Sequence, residues 1–318
     1  MPHPLASYTI TRMTSLRIPF AFAASVRFAS HALADVARVS VGRDSIEGMA
    51  ADAILRAPNR GRSALPPSSG RSSGVSVDEL RVDVGSPSVT LALSIVDRGT
   101  NPQKSVFVLH GIRDSKESMR GWGDLLASAG FRAVLVDLRG HGKSTGDALS
   151  YGVRESQDLR DLLDALEARG VSSGPVGVAG FSYGAAVAVQ WAGADPRVSA
   201  VAAVAPFSSL SAVLSGYLPI PLAPEFLRRV EVLVGQRGGF DTTLASPEAA
   251  IRTTSAPVLL IHGSSDERIP SSHSTRIFDA RPTHTELVLV DRANHRGVVT
   301  SPRTELSRRL PAWFGAHP

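Results

Sequence analysis

One pentapeptide, Gly180-Phe181-Ser182-Tyr183-Gly184, constrains this chain more than any other stretch. Ahead of it runs Pro175-Val176-Gly177-Val178-Ala179, an apolar run of strand character, and behind it Ala185 to Trp191, small and helix-compatible. The order is strand, sharp turn, helix. So tight a turn forces its central residue into strained backbone angles, and glycines two before and two after leave the strand and the helix room to pass. Ser182 is thereby held at the end of a strand with its hydroxyl presented for chemistry. The pattern alone is weak: with 28 Gly and 39 Ser in 318 residues, roughly 0.3 matches arise by chance, so its weight comes from context and partners.

A serine hydroxyl is a poor nucleophile until a base takes its proton, and the usual base is a histidine oriented by a carboxylate. Both follow later in the chain, each after a strand pattern. Pro257-Val258-Leu259-Leu260-Ile261 leads into His262-Gly263-Ser264-Ser265-Asp266, and Thr285 to Val290 leads into Asp291-Arg292-Ala293-Asn294-His295. Asp241 and Asp291 are the other candidate carboxylates. Asp266 is preferred, because Asp241 precedes the late strand and Asp291 sits in the histidine's own loop.

A chain of 318 residues with 43% hydrophobic residues can bury a large core. It has no uncharged apolar run of 18 residues, so a standard membrane span is not expected. The absence of cysteine removes disulfides, thiolate catalysis and cysteine-based zinc sites, and leaves the redox compartment undetermined. The net charge of +5 is local: residues 1–74 carry nine Arg against four acids, whereas residues 75–318 balance 25 basic against 25 acidic side chains. With no basic stripe interleaved with aromatics, nucleic acid is not an expected partner.

Residues 1–35 have the character of a signal or anchoring segment: Arg12 and Arg17, uncharged Ile18 to Val26, then Ala32-Leu33-Ala34 as a candidate cleavage site. An amphipathic surface helix, or a true start at Met13, would explain the same residues. Membrane contact is expected only through this segment, and export or cytoplasmic residence hangs on it. Residues 36–74 read as a basic, partly flexible linker, rich in Pro, Gly and Ser from 57 onward. The folded domain is expected to begin near Val75 and run to residue 318.

From there strands and helices alternate, which predicts an α/β fold with a mostly parallel sheet. Val75 to Val84 and Ser88 to Val96 form a leading antiparallel pair, Ser105 to Leu109 a buried strand, Ser118 to Ala129 a helix, and Phe131 to Asp137 a strand. In Val153 to Arg169, Leu159, Leu162, Leu163 and Leu166 keep helical spacing, so Asp158, Asp161, Asp164 and Glu167 are expected to face water. The nucleophile strand and helix follow, then a strand at Ser199 to Ala205. Residues 206–254, with Pro219, Pro221 and Pro224 ahead of Glu225 to Val234, break the alternation and read as a small helical lid insertion.

Other motifs have bland readings. Gly142-Lys143-Ser144 hints at a phosphate loop, but that loop needs glycine where Asp137 stands, so the stretch reads as a glycine-rich turn. His110 reads as a prop for its loop, His262 as a stabiliser of the turn before Asp266, and His273 and His284 as surface residues. No His-Glu-x-x-His pair occurs, and no metal is expected.

Taken together, Gly180 to Gly184, His110-Gly111, Asp137 to Gly146 with Tyr151-Gly152 and Glu155, His262 to Pro270, and Asn294-His295 resemble the α/β-hydrolase superfamily. In particular they resemble bacterial esterases related to the serine aminopeptidase group, over about residues 80 to 315. It implies an α/β-hydrolase fold: an eight-stranded, mostly parallel sheet with helices on both faces. It also implies serine-dependent hydrolysis of a small-molecule ester without a cofactor, with Ser182 as nucleophile, His295 as base and Asp266 as its orienter. The backbone amides of Ile112 and Tyr183 would form the oxyanion hole. A peptidase or amidase using the same triad is the nearest alternative, and a non-catalytic binding protein on this scaffold the next. Haloalkane dehalogenase and epoxide hydrolase chemistry is disfavoured, because both use Asp where this chain has Ser182.

Overall fold

The computed structural model describes residues 45–59, 76–98, 104–217, 223–301 and 304–317. The signal or anchoring segment at 1–35 and most of the stretch at 57–74 lie outside the described residues.

Eight strands build one open sheet: β1 (Ser76–Val84), β2 (Val89–Asp97), β3 (Ser105–Leu109), β4 (Arg132–Val136), β5 (Val176–Phe181), β6 (Val198–Val204), β7 (Val258–Gly263) and β8 (Thr285–Val290). Their order is β1-β2-β4-β3-β5-β6-β7-β8. β1 and β2 form the leading antiparallel pair and β2 runs antiparallel to β4, while every later pairing is parallel. Parallel strands covered on both faces read as continuous apolar runs, and β3, Ser-Val-Phe-Val-Leu, is buried at every position.

The described residues also form ten α-helices: α1 (Ile46–Leu55), α2 (Arg120–Ser128), α3 (Val153–Ala168), α4 (Tyr183–Ala194), α5 (Leu210–Tyr217), α6 (Pro224–Gly238), α7 (Pro247–Ala250), α8 (Ser272–Ala280), α9 (Gly297–Thr300) and α10 (Leu306–Ala316). The strand alternation sorts apolar side chains to two faces. Phe107, Leu109, Val176 and Val178 join α3 and α4 on one, whereas Val106, Val108, Ala202 and Val204 join α2 and α10 on the other. Helix α4 is apolar nearly all round, with Ala185, Ala186, Val187, Ala188 and Val189 fully buried, as a helix enclosed by core must be. Its Trp191 meets Phe107 edge to face, with ring centroids 5.0 Å apart.

The four leucines of α3 are wholly buried, as their spacing predicts. One acid of that helix is not where the spacing put it. Asp158 is buried beside Leu159, and Arg139 holds it with a two-pronged ion pair, Nε to Oδ2 at 2.8 Å and Nη2 to Oδ1 at 2.6 Å. Asp158 borders the apolar stripe, so a cation arriving from a distant loop, which periodicity cannot see, is enough to draw it in. Asp164 does face water, and pairs with Arg197.

The expected start at Val75 is too late. Residues 45–59 form a helix and tail on the domain, with Ser45 capping α1 and Ala51, Leu55 and Ala57 buried. Arg237 of α6 donates to the Gly48 carbonyl at 2.8 Å and pairs with Asp52 at 2.7 Å. The tail donates Asn59 N to Gly140 O at 3.1 Å, and Tyr151 donates its hydroxyl to Ile54 O at 2.9 Å. The apolar face of α1 is short and gains its value only against α6, so composition alone resembles a linker. Among the described residues the excursion at 206–254 holds α5, α6 with Pro224 in its first turn and Gly239 as its left-handed cap at φ 64°, and α7.

Candidate active site

Ser182 occupies the turn between β5 and α4 with φ 54° and ψ −114°, a strained conformation for a side-chain-bearing residue. Its amide donates to Val204 O at 2.8 Å, tying the turn to β6. The flanking glycines follow from space. A Cβ on Gly180 would lie 2.4 Å from Gly184 O, and one on Gly184 would lie 2.5 Å from Leu109 O, so neither position tolerates a side chain.

Two loops from the far edge of the sheet close on this turn. His295, in the loop after β8, places Nε2 3.0 Å from Ser182 Oγ. Its Nδ1 lies 2.6 Å from Oδ2 of Asp266, in the loop after β7. All three residues are buried, and the imidazole lies against Phe181 with ring centroids 5.1 Å apart.

Asp266 is itself held. Its Oδ1 accepts from the amides of Arg268 and Ile269, both at 2.9 Å. His262 Nε2 lies 2.7 Å from Ile269 O and 3.3 Å from Asp266 Oδ2, while its Nδ1 meets Ser274 Oγ at 2.7 Å. Burial opposes ionisation of Asp266, but hydrogen bonds from His262, His295 and the loop amide outweigh it and hold the carboxyl well below the ordinary carboxylate range. A carboxylate facing Nδ1 fixes the proton there and leaves Nε2 as an acceptor toward Ser182.

The loop after β3 borders the same turn. A Cβ on Gly111 would sit 3.6 Å from Ser182 Cβ. His110 props the loop as expected: it is buried, its Nδ1 lies 2.8 Å from Gly111 O, and its Nε2 accepts from Leu138 N at 3.1 Å. Gly184 donates to His110 O at 3.0 Å, so the elbow and this loop are stitched together. Ile112 is the next residue of that loop after Gly111, and Tyr183 follows Ser182 as the first residue of α4.

The competing carboxylates are elsewhere employed. Asp241 caps its own turn by accepting from Thr243 N at 2.9 Å, and Asp291 is exposed beside Arg292. The turn after β4 is the glycine-rich structure expected. Asp137 accepts from Lys116 N at 2.7 Å and Lys143 N at 2.9 Å, and Gly142, at φ 48°, leaves no room for a Cβ beside it. His284 is exposed as expected, but His273 is buried and its Nδ1 accepts from Ser208 N at 3.1 Å. His273 lies on α8 facing the loop after β6, a contact between segments 65 residues apart that local pattern could not reveal.

Among the described residues no cluster of three or more His, Asp or Glu could hold a metal, and no helix is long and apolar enough to cross a membrane. Sequence reasoning gave no role to Glu155, whose carboxylate is buried behind Tyr183. Its signal was a position three residues beyond Gly152, where an acid caps a helix.

The sheet order, the strand-turn-helix at Ser182 and the loops that meet there give this chain the α/β-hydrolase fold. Residues 100–237 match the family model described as serine aminopeptidase, S33. The esterase Pf2001 of Pyrococcus furiosus superposes with a TM-score of 0.63 at 20% identity, over 80% of this chain and 99% of that one. In sequence, the uncharacterized protein YqkD of Bacillus subtilis (strain 168) is 28% identical over 211 residues, 63% of this chain and 67% of that protein. An epoxide hydrolase of Caballeronia sordidicola is 35% identical over 80 residues, which is 24% of each.

Proposed function

We propose that this chain is a serine hydrolase acting on carboxylic esters. The reading is carried by one observation: Ser182 Oγ, His295 and Asp266 form a continuous hydrogen-bonded line, 3.0 Å and then 2.6 Å. His295 takes the hydroxyl proton on Nε2 as Ser182 Oγ attacks the ester carbonyl, and Asp266 stabilises the imidazolium. The amides of Ile112 and Tyr183 hold the oxyanion. Collapse expels the alcohol, which takes the proton from His295 and leaves an acyl-serine. Water, deprotonated by His295, then attacks that acyl group and releases the acid while the proton returns to Ser182. The helical excursion at 206–254 serves as the lid and lines the acyl side.

Ser182→Ala and His295→Ala should each lower turnover of short p-nitrophenyl esters by roughly 10⁴ or more, because the triad acts as a unit. Activity within tenfold of the parent in either variant would sink the assignment. The serine aminopeptidase description of the matching family model favours a second reading, hydrolysis of an amide at the same site. Parallel assays on an aminoacyl amide and an acyl ester decide between them. Failure of Ser182 to react with a fluorophosphonate would leave a binding protein on a hydrolase scaffold.

A further inference from the structure

Glu155 is fully buried at the third position of α3, and no Lys or Arg of the described residues bonds to it. Its oxygens accept four hydrogen bonds from neutral donors. Oε1 takes Ser150 N at 3.1 Å and the Tyr183 hydroxyl at 2.9 Å, and Oε2 takes Gly152 N at 2.9 Å and the Ser150 hydroxyl. A carboxylate has about four lone-pair sites, so this one is saturated. Three of the donors lie in the turn at 150–152 and would satisfy an ordinary helix cap. The fourth does not belong to that turn.

Tyr183 directly follows Ser182, and its backbone amide is one of the two donors assigned to the oxyanion. Its ring is pinned at the far end twice over, since the hydroxyl that donates to Glu155 also accepts from Tyr151 N at 3.1 Å. Burial, with Glu155 adjacent, pushes the phenol well above its ordinary value, so it stays a donor. The turn is also tied to the nucleophile helix, because Gln190 of α4 donates to Tyr151 O at 2.9 Å. A ring fixed at its hydroxyl fixes the Cα and amide at its other end, and oxyanion donors act only within narrow angular limits.

We propose that Glu155 is a positioning residue of the active site: through the Tyr183 hydroxyl it aims the Tyr183 amide at the oxyanion formed on Ser182. The inference rests on the serine-hydrolase reading above.

Two substitutions test it. Glu155→Gln turns an amide N–H₂ toward donors that need an acceptor, and Tyr183→Phe removes the hydroxyl while keeping ring and backbone. The measurements are kcat per fluorophosphonate-titrated site, KM for a p-nitrophenyl ester, and the affinity of a trifluoromethyl ketone, whose adduct with Ser182 places an oxyanion against these amides. Each variant should lose about 10- to 100-fold in kcat, less than deletion of a donor costs. Ketone affinity should fall by the same factor with KM within threefold, and the double variant should be no worse than the poorer single one. If Tyr183→Phe keeps kcat and ketone affinity within twofold of the parent, Glu155 is a helix cap only and the proposal fails, whatever Glu155→Gln does. Tyr183→Phe also decides alone should Glu155→Gln not fold. A parent that never reacts with the fluorophosphonate overturns the hydrolase reading and this one with it, whereas a reactive parent matched by Tyr183→Phe overturns only this one.

Discussion

Replacing Asp266 with Asn changes one atom and should disable the site by a route visible in its hydrogen bonds. Asp266 Oδ1 accepts from two backbone amides, Arg268 N and Ile269 N, both at 2.9 Å. In Asp266→Asn the carbonyl oxygen must take that position, since an N–H₂ there would face two N–H groups. The new N–H₂ then occupies the Oδ2 position, 2.6 Å from His295 Nδ1. A donor at that distance requires Nδ1 to be the acceptor, which moves the imidazole proton to Nε2. There it faces Ser182 Oγ across 3.0 Å, and the nitrogen can no longer take the hydroxyl proton. A wrong-tautomer substitution of this kind costs about 10⁴ in kcat in the chymotrypsin fold, or roughly 5 kcal/mol of transition-state stabilisation. The assay is kcat for a p-nitrophenyl ester, with ¹⁵N NMR of the histidines to identify the tautomer. Asp241→Asn and Asp291→Asn, which touch neither histidine, should match the parent and serve as controls. Asp266→Asn within tenfold of the parent, or Nδ1 still protonated in it, would refute the tautomer argument.

Two further predictions concern buried charge. Burial pushes Asp158 up to about 6, even with Arg139 holding it down, so Arg139→Met raises it further and strands an anion whose cost is largest at alkaline pH and shrinks as pH falls. The expected loss is about 3–5 kcal/mol in urea denaturation at pH 8 and clearly less at pH 5. An equal loss at both would count against it. Burial, with His110 beside it, pulls His141 down to about 3 from 6.5, so between those values the unfolded chain gains a proton the folded one refuses. Stability tied to His141 is therefore full above about 6.5 and lost as pH falls, by about 2 kcal/mol from pH 6.5 to 5. Asp137 and Asp158, both raised to about 6 by burial, act in the opposite sense and flatten the parent's profile. Comparing pH slopes of His141→Gln and the parent isolates the histidine, and identical slopes would refute the assignment.

The sheet was legible because its strands are local and apolar: β3, β5 and β7 each stand out as four or more consecutive core-forming residues. Ser182, Asp266 and His295 were legible for another reason. Each follows a strand at the same end of the sheet, where a short loop suffices to present a side chain, so chain order alone predicts their meeting. What escaped were side chains whose environment is set by distant segments. Asp158 reads as a solvated helix acid until Arg139 arrives from the loop after β4, and His273 reads as surface until the loop after β6 covers it.

Helix α1 shows the same limit at the scale of an element, and shows why it matters for the site. Its residues bury few apolar groups, far too few to hold a ten-residue helix alone. Against α6 it gains the Arg237 ion pair and the seat of Leu55 beside Gly238. Against the turn at 150–152 it receives the Tyr151 hydroxyl on Ile54 O. Tyr151 in turn donates its amide to the Tyr183 hydroxyl. A segment that composition assigns to a linker therefore stands two hydrogen bonds from the residue beside the nucleophile. The long way round the sequence is the short way through the structure, which is why the boundary at Val75 fell on the wrong side of it.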